Sequence, residues 1–338
     1  MSAVSPPIAV AAVPSRLRPW TQLRGEIVLT LAGLLAFVLF PHDLGLLTNM
    51  ATMSIFALSL SLVLGQAGIA TLGQAALYGA GAYVAGWTAL YLTADPIVGL
   101  LLGGLGGGAI ALLSGAVMLR STKLTLVMLT IAVAQLLLEL ANWARWLTGG
   151  DDGLAGFDIA PLFGVWEFNF LGRTGYFYAL GALVLVYFLV RHLVESPFGL
   201  TARAIRQDPG RVQALGGRVY LHLLAVYTVG GVVAGLAGAL TAQTSKVANL
   251  FMLDFATSAG VVVMIVLGGT RRLAGAVLGT VAYMSIHHIA STLNPYHWLF
   301  FIGSMLIVVL IVLPEGLIGL LDRAAAHARR LAGHGGGR

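Results

Sequence analysis

Cysteine is absent from the 338 residues, which removes disulfides, thiolate metal sites, iron–sulfur ligation and thiol nucleophiles from consideration. Lysine occurs only at Lys123 and Lys246, and neither closes a GxxxxGK[ST] phosphate loop, so any ATP hydrolysis tied to this chain belongs to another one. No HExxH or GxSxG arrangement occurs, which leaves a catalytic reading without a constellation to rest on. Charge of either sign is scarce. Charged residues make up 9% of the chain against 58% apolar residues, with a mean hydropathy of +0.91. That balance excludes a disordered scaffold, a disulfide-stapled secreted domain and a nucleic-acid binder whose basic excess answers phosphate. It describes an all-α, polytopic membrane bundle.

A span needs about 20 apolar residues. The first apolar run, Ile27 to Phe40, follows Arg16, Arg18 and Arg24 and precedes Pro41-His42-Asp43 instead of a small-x-small cleavage site. It reads as an uncleaved first span. Further spans are expected near 48–65, 75–93, 96–119, 124–146, 173–193, 219–241, 253–268, 273–291 and 296–313, which makes about ten. Asp95-Pro96 and Asn294-Pro295 mark two of the starts, the first residue capping and the second pre-setting the first turn.

Placing the N-terminus inside puts sixteen basic residues on cytoplasmic segments and leaves Arg145, Arg173 and Lys246 outside. Together they account for all 19 Lys and Arg. The positive-inside rule then holds at every loop, explains the net charge of +6 and predicts both termini in the cytoplasm. The basic end beyond Asp322 reads as a solvated extension beside lipid headgroups.

Four features stand out from this apolar background. The longest cytoplasmic connection, Ser196 to Gly217, carries Arg203, Arg206 and Arg211 and reads as two short helices. The second is delimited by Asp208 as cap, Pro209 at its first position and Gly216 at its stop. A helix of about two turns is marginal alone in water, so it packs on a partner or on its own membrane domain, with Val212 and Leu215 as apolar contacts; the competing reading lays the loop on anionic headgroups through its arginines. The stretch from Gly65 to Tyr83 places glycines at 65, 68, 73, 79 and 81 around Gln66, Thr71 and Gln74. It reads as a discontinuous element beside a pathway, or as small-residue packing between helices. On the fifth span Gln135, Glu139 and Asn142, spaced four and three, share a helical face. Glu139 is the one carboxylate placed well inside a span, where an ionisable group faces a cavity or partner, is neutralised in the bundle, or snorkels outward. The outside loop from Thr148 to Asp158 carries Asp151, Asp152 and Asp158 and reads as a docking face or a solvated turn. His287 and His288 point about 100 degrees apart on a helix and cannot form one ligand face.

The residues also resemble a known family. GQAGIATLGQAALYGAGAY, from Gly65 to Tyr83, resembles the GxxGxxSLGQxxFxGxGAY pattern of branched-chain amino-acid ABC transporter permeases, with Thr71 in place of Ser. The region from Leu129 to Leu154 resembles that family's TLAxAQ…TGGxDGL, and SPFG at 196–199 through ALG at 214–216 resembles its coupling loop. Leu200 stands where a basic residue is usual, and Asp208-Pro209-Gly210 interrupts the usual Glu-containing part. The similarity is greatest to the M-type subunit and runs over about three quarters of the chain.

The resemblance implies a non-enzymatic permease subunit in the bacterial inner membrane, with no cofactor and no nucleic-acid partner. It implies pairing with a second permease subunit as a heterodimer, with two ATP-binding subunits, an extracytoplasmic solute-binding protein and surrounding membrane lipid. Segment 1–24 would be an N-terminal extension, 25–318 the permease domain with a coupling loop at 194–218, and 319–338 a basic tail. Arg203, Arg206, Asp208, Arg211, Val212, Leu215 and Gly216 would serve coupling; Gln66, Thr71, Gln74, Gln135, Glu139 and Asn142 would line the pathway. Urea or short-amide permeases, and an ion-coupled secondary transporter, are the alternative functions.

Overall fold

The computed structural model describes residues 19–121, 123–162, 164, 166, 172–270 and 272–293, with 303, 304, 316, 317 and 319 near the C-terminal end. The chain is helical almost throughout. In order it forms α1 (Pro19–Leu39), α2 (Leu44–Leu60) continued by a π-helical turn (Ser61–Gln66), α3 (Gln74–Tyr91), α4 (Pro96–Met118), α5 (Lys123–Trp143) and the short α6 (Arg145–Thr148). Then come α7 (Arg173–Glu195), α8 (Pro197–Gln207), α9 (Pro209–Ala214), α10 (Val219–Ser245), α11 (Phe255–Gly268) and α12 (Leu273–Leu293). The first nine expected spans each fall on one of these helices. The tenth, 296–313, lies outside the described residues apart from 303 and 304, as do the Asn294-Pro295 pair and Arg271.

Among the described residues, α2 with its π turn, α4, α5, α7, α10 and α12 are each long and apolar enough to cross a bilayer. Two further helices are shorter. The apolar part of α1 runs Gly25–Leu39, and α11 has 14 residues, about 21 Å at the helical rise against a hydrocarbon core of about 30 Å. The chain makes up the difference before α11 with a one-turn 3-10 segment, Leu250–Met252, and a nearly buried Leu253. The chain is a multi-pass membrane protein.

Helix starts follow the capping logic of the sequence. The Asp95 side chain accepts from the Ile97 amide at 2.9 Å, with Pro96 opening α4.

The core is a layer of α3, α4 and α10 packed backbone to backbone, with α2 set against α10. Lipid tails are as apolar as leucine, so burial alone does not hold these helices together; close contact does. Glycine supplies it. A Cβ at Gly238 of α10 would run into the Tyr78 carbonyl of α3, and one at Gly235 would stand 2.5 Å from the Gly103 carbonyl oxygen of α4. Around this seam Ile55, Phe56, Tyr78, Val226 and Leu240 are at most 1% exposed. Within their apolar windows α2 is 78% buried and α5 only 11%, so α2 is a core element and α5 a peripheral one.

At the end of the bundle that holds the 148–158 loop, β1 (Leu154–Ala155) pairs antiparallel with β2 (Val247–Ala248), Leu154 opposite Ala248. Leu154 and Phe157 are buried against Ala82, Ala242 and Ala248, and Lys246 reaches Asp158 at 3.4 Å. The loop is therefore clipped onto the end of α10 while its acidic side chains at Asp152 and Asp158 stay exposed.

Candidate functional site

The glycine-rich stretch between α2 and α3 is a break in the helices. After the π turn the chain leaves helical geometry at Ala67–Gly73, turns at Gly68 with φ +73° and re-enters α3 at Gln74. A break inside an apolar bundle exposes backbone donors that must find partners. Side chains from two other segments and from the break itself meet them. The Leu72 amide donates to Thr130 Oγ1 of α5 at 3.3 Å, the Gly73 amide to Thr71 Oγ1 at 3.2 Å, and the Ala75 amide to Ser258 Oγ of α11 at 2.8 Å. Gln74 Nε2 donates to Ser59 Oγ of α2 at 3.1 Å. The buried Tyr227 of α10 lies beside Thr71 and Ser114.

This is a buried polar node where α2, α3, α5, α10 and α11 converge. Gln66 and Thr71 are each 3% exposed and Gln74 is fully buried. Gln74 Oε1 in the node and Ser61 Oγ in the π turn have no hydrogen-bond partner, and an unpaired buried acceptor is costly unless something answers it. Ser258 lies ten residues before Gly268 at the far end of α11, about 15 Å along the axis. The node therefore sits near mid-depth.

The sequence singled out Gln66, Thr71 and Gln74; the structure places Thr71 and Gln74 in this node and Gln66 in the arginine-lined recess at the start of the break. It did not single out Ser59, Ser61, Thr130, Tyr227 or Ser258. Isolated hydroxyls in apolar helices usually satisfy themselves on a carbonyl one turn back, as Ser54 and Thr280 do here, so no pattern in one sequence distinguishes those that meet at the node.

The second cluster lies at the opposite end of the bundle from the 148–158 loop. Asp208 ends α8 and caps α9, its Oδ1 accepting from the Arg211 amide at 3.1 Å while its Oδ2 pairs with Arg211 Nε at 2.8 Å. Gly216, at φ +85°, ends the turn after α9. Helix α8 buries Gly199, Ala202 and Ile205 against the bundle. Its arginines turn inward at their tips: Arg203 donates to the Val194 carbonyl at 3.1 Å, and Arg206 donates to the Gly65 carbonyl while its stem packs on Gly68. One residue of α8 thus holds the π turn from which the break begins. Val212 and Leu215, expected to act together, are separated: Val212 is half-buried and lines a recess with Ile205 and His222, whereas Leu215 is 89% exposed.

The α5 stripe is apart from both clusters. Gln135 and Glu139 are exposed, and Asn142 is half-buried with an unpartnered Oδ1. Thr130 is on the same helix five residues before Gln135, but it is buried while Gln135 is exposed, so it faces the node and not the stripe. Among the described residues no three His, Cys, Asp or Glu side chains gather as a metal site.

Residues 44–310 match the family described as the permease component of the branched-chain amino acid transport system. Three similar proteins are permeases of that kind. The high-affinity branched-chain amino acid transport system permease protein LivM of Escherichia coli K12 is 26% identical over 296 residues, covering 78% of this chain and 67% of its own. Its namesake from Salmonella typhimurium LT2 is 27% identical over 296 residues, covering 80% and 69%. The probable LivM of Methanocaldococcus jannaschii is 25% identical over 250 residues, covering 67% and 71%. No solved structure matches the chain. The matched residues take in both the broken α2–α3 element and the α8–α9 loop, and the chain belongs to the branched-chain amino acid transport permease family.

Proposed function

We propose that this permease moves a branched-chain amino acid, or a small polar solute of similar size, between a soluble receptor on one side of the bacterial inner membrane and the cytoplasm on the other. It forms half of the pathway beside a second permease subunit, takes its energy from two ATP-binding subunits docked on the α8–α9 loop and performs no chemistry itself. Both termini lie in the cytoplasm.

The observation that carries this reading is the contact from Arg206 on α8 to Gly65 at the start of the α2–α3 break. A force applied to the loop reaches a weak point in the bundle through one side chain. A π turn followed by seven non-helical residues has fewer fixed backbone bonds than a straight helix; the Ser61 hydroxyl within the turn and the Gln74 Oε1 beyond it have no hydrogen-bond partner. Leu215, a leucine 89% exposed at the tip of the loop, is the apolar side chain that such a docked partner would cover.

The stripe of Gln135, Glu139 and Asn142 extends the polar surface outward along α5 and lines the route shared with the second subunit. Selection among solutes falls mainly to the receptor, so the node needs only to pass what is delivered.

The test is uptake and ATP hydrolysis together, in proteoliposomes holding this chain with its partner subunits and receptor. Arg206→Ala is expected to leave the complex assembled and ATP hydrolysis running while uptake per ATP falls severalfold. Unchanged uptake per ATP in that variant would mean that the contact carries no coupling.

A further inference from the structure

We propose that the outward face of α5 is the seam on which a different permease subunit packs, a span of that subunit bringing a hydrogen-bond donor to Glu139. The seam rests on the pairing of permease subunits stated above and adds to it the face, the contact chemistry and the requirement that the partner be a different chain.

Helix α5 has two unlike sides. Leu126, Thr130 and Ala134, one turn apart, are buried, and Thr130 holds the Leu72 amide of the break at 3.3 Å. Glu139 follows Thr130 by nine residues, a rotation of about 180°, so it points away from the bundle. Gln135 and Glu139 are exposed on that side, among Leu136, Leu140 and Trp143, which are 63%, 51% and 80% exposed.

The comparable faces of three other helices differ. On α1 from 27 to 39, on α4 from 98 to 117 and on α7 from 177 to 189, every exposed side chain is apolar. Those faces suit lipid. The α5 face does not, and its depth shows why. Trp143, at the end nearer the 148–158 loop, stands where an interfacial aromatic belongs. Gln135 lies eight residues before it, about 12 Å deeper along the axis, in a hydrocarbon core about 30 Å thick. A glutamine stem is too short to carry its amide to water from there, and in hydrocarbon that amide would be left unpaired. Protein covers this face in the assembled transporter.

Glu139 narrows the choice of protein. In a pair of identical chains about an axis along the membrane normal, equal depths meet, so α5 packed on its own copy would set Glu139 against Glu139. Two carboxylates side by side repel. A different chain can offer a basic, amide or hydroxyl donor at that depth, and polar pairs of this kind hold membrane helices together. Helix α5 then stands between the partner and the α2–α3 break, one side on each.

The experiment places p-benzoylphenylalanine, a photo-crosslinking residue, in turn at Leu136 and Leu140 of α5, Leu105 of α4 and Leu185 of α7, in membranes holding the chain with its partner subunits. Irradiation is expected to join this chain to the second permease subunit from the α5 positions severalfold more than from Leu105 or Leu185, with the adducts identified by peptide mass spectrometry. Adducts to lipid alone at both α5 positions would overturn the proposal, as would adducts to a second copy of this chain. Crosslinking to the second permease subunit through α4 or α7 in place of α5 would overturn it and leave the pairing intact. A purified complex without a second permease subunit would end the pairing itself. The donor is tested by recovery of the second subunit after detergent purification. Glu139→Gln still accepts a hydrogen bond and should keep that recovery, whereas Glu139→Lys should lower it severalfold. Full recovery with Glu139→Lys would overturn the donor contact. If Glu139→Lys does not fold, Glu139→Leu removes the acceptor at similar size and decides the same point.

Discussion

Gln74 shows how a single buried amide separates packing from transport. Its Nε2 is paired with Ser59 and its Oε1 with nothing. Replacing it with leucine, a side chain of similar volume, removes one hydrogen bond worth about 1 kcal/mol and at the same time an unsatisfied acceptor costing about as much. Gln74→Leu should therefore unfold within about 1 kcal/mol of wild type in thermal denaturation of the detergent-solubilised chain. Its uptake should fall severalfold, since the node loses the group that answers a passing polar solute. Gly238 behaves in the opposite way, because a Cβ there meets the Tyr78 backbone, which cannot rotate aside. Gly238→Ala should cost about 1–3 kcal/mol by overpacking, read as a lower melting temperature. Glu139 is exposed on a peripheral span, where a charge facing hydrocarbon costs at least about 2.5 kcal/mol. If α5 borders lipid there, Glu139→Leu should stabilise the chain and leave uptake intact. The shared-route reading expects Glu139→Gln to keep most uptake and Glu139→Leu to lose most of it at equal expression.

The α8–α9 loop is the element in which sequence and structure can be compared most closely. Its boundaries were legible because each is written in one residue with one job: Pro197 and Pro209 open helices, Asp208 caps, and Gly216 turns left-handed. The starts of α4 and the break after Gln66 were legible for the same local reasons. What local chemistry cannot write is direction. Arg203 and Arg206 read as partner-facing charges, yet each finds a carbonyl of its own bundle, because α8 lies against the ends of α2 and α7 and long side chains reach inward over small neighbours. Val212 and Leu215 part company because α9 is only six residues long, and the chain turns beneath Leu215. The node stayed hidden for a related reason: Ser59, Thr130 and Ser258 are distant in sequence and meet only once the helices pack. The exposed leucine carries the docking prediction. Leu215→Asp puts a charge into the apolar contact with an ATP-binding subunit and should cost about 1–3 kcal/mol of docking, lowering receptor-stimulated ATP hydrolysis about fivefold or more. Full stimulation in that variant would return the loop to lipid headgroups.

At the scale of the whole molecule, charge and packing assign the same two ends. Arg191, Arg203, Arg206 and Arg272, which lie on three separate segments, line one recess. Asp95 and Lys246 lie at the opposite termini of α4 and α10, Asp158 pairs with Lys246, and the two-residue ladder closes there. Positive-inside bias is a statement about loops counted along the chain; among the described residues, the fold brings four of those arginines together in one recess. The absence of cysteine makes the assignment testable residue by residue, since an introduced thiol is the only one present. Leu215→Cys, at 89% exposure, should react with a membrane-impermeant maleimide in inside-out vesicles and stay unlabelled in intact spheroplasts. Asp158→Cys, whose side chain is 97% exposed, should show the reverse. Labelling of both from one side would mean that the connecting spans do not cross in alternation. A clean exchange of the two patterns would keep the fold and invert it in the membrane, moving the α8–α9 loop away from any cytoplasmic ATP-binding subunit and ending the coupling proposal with it.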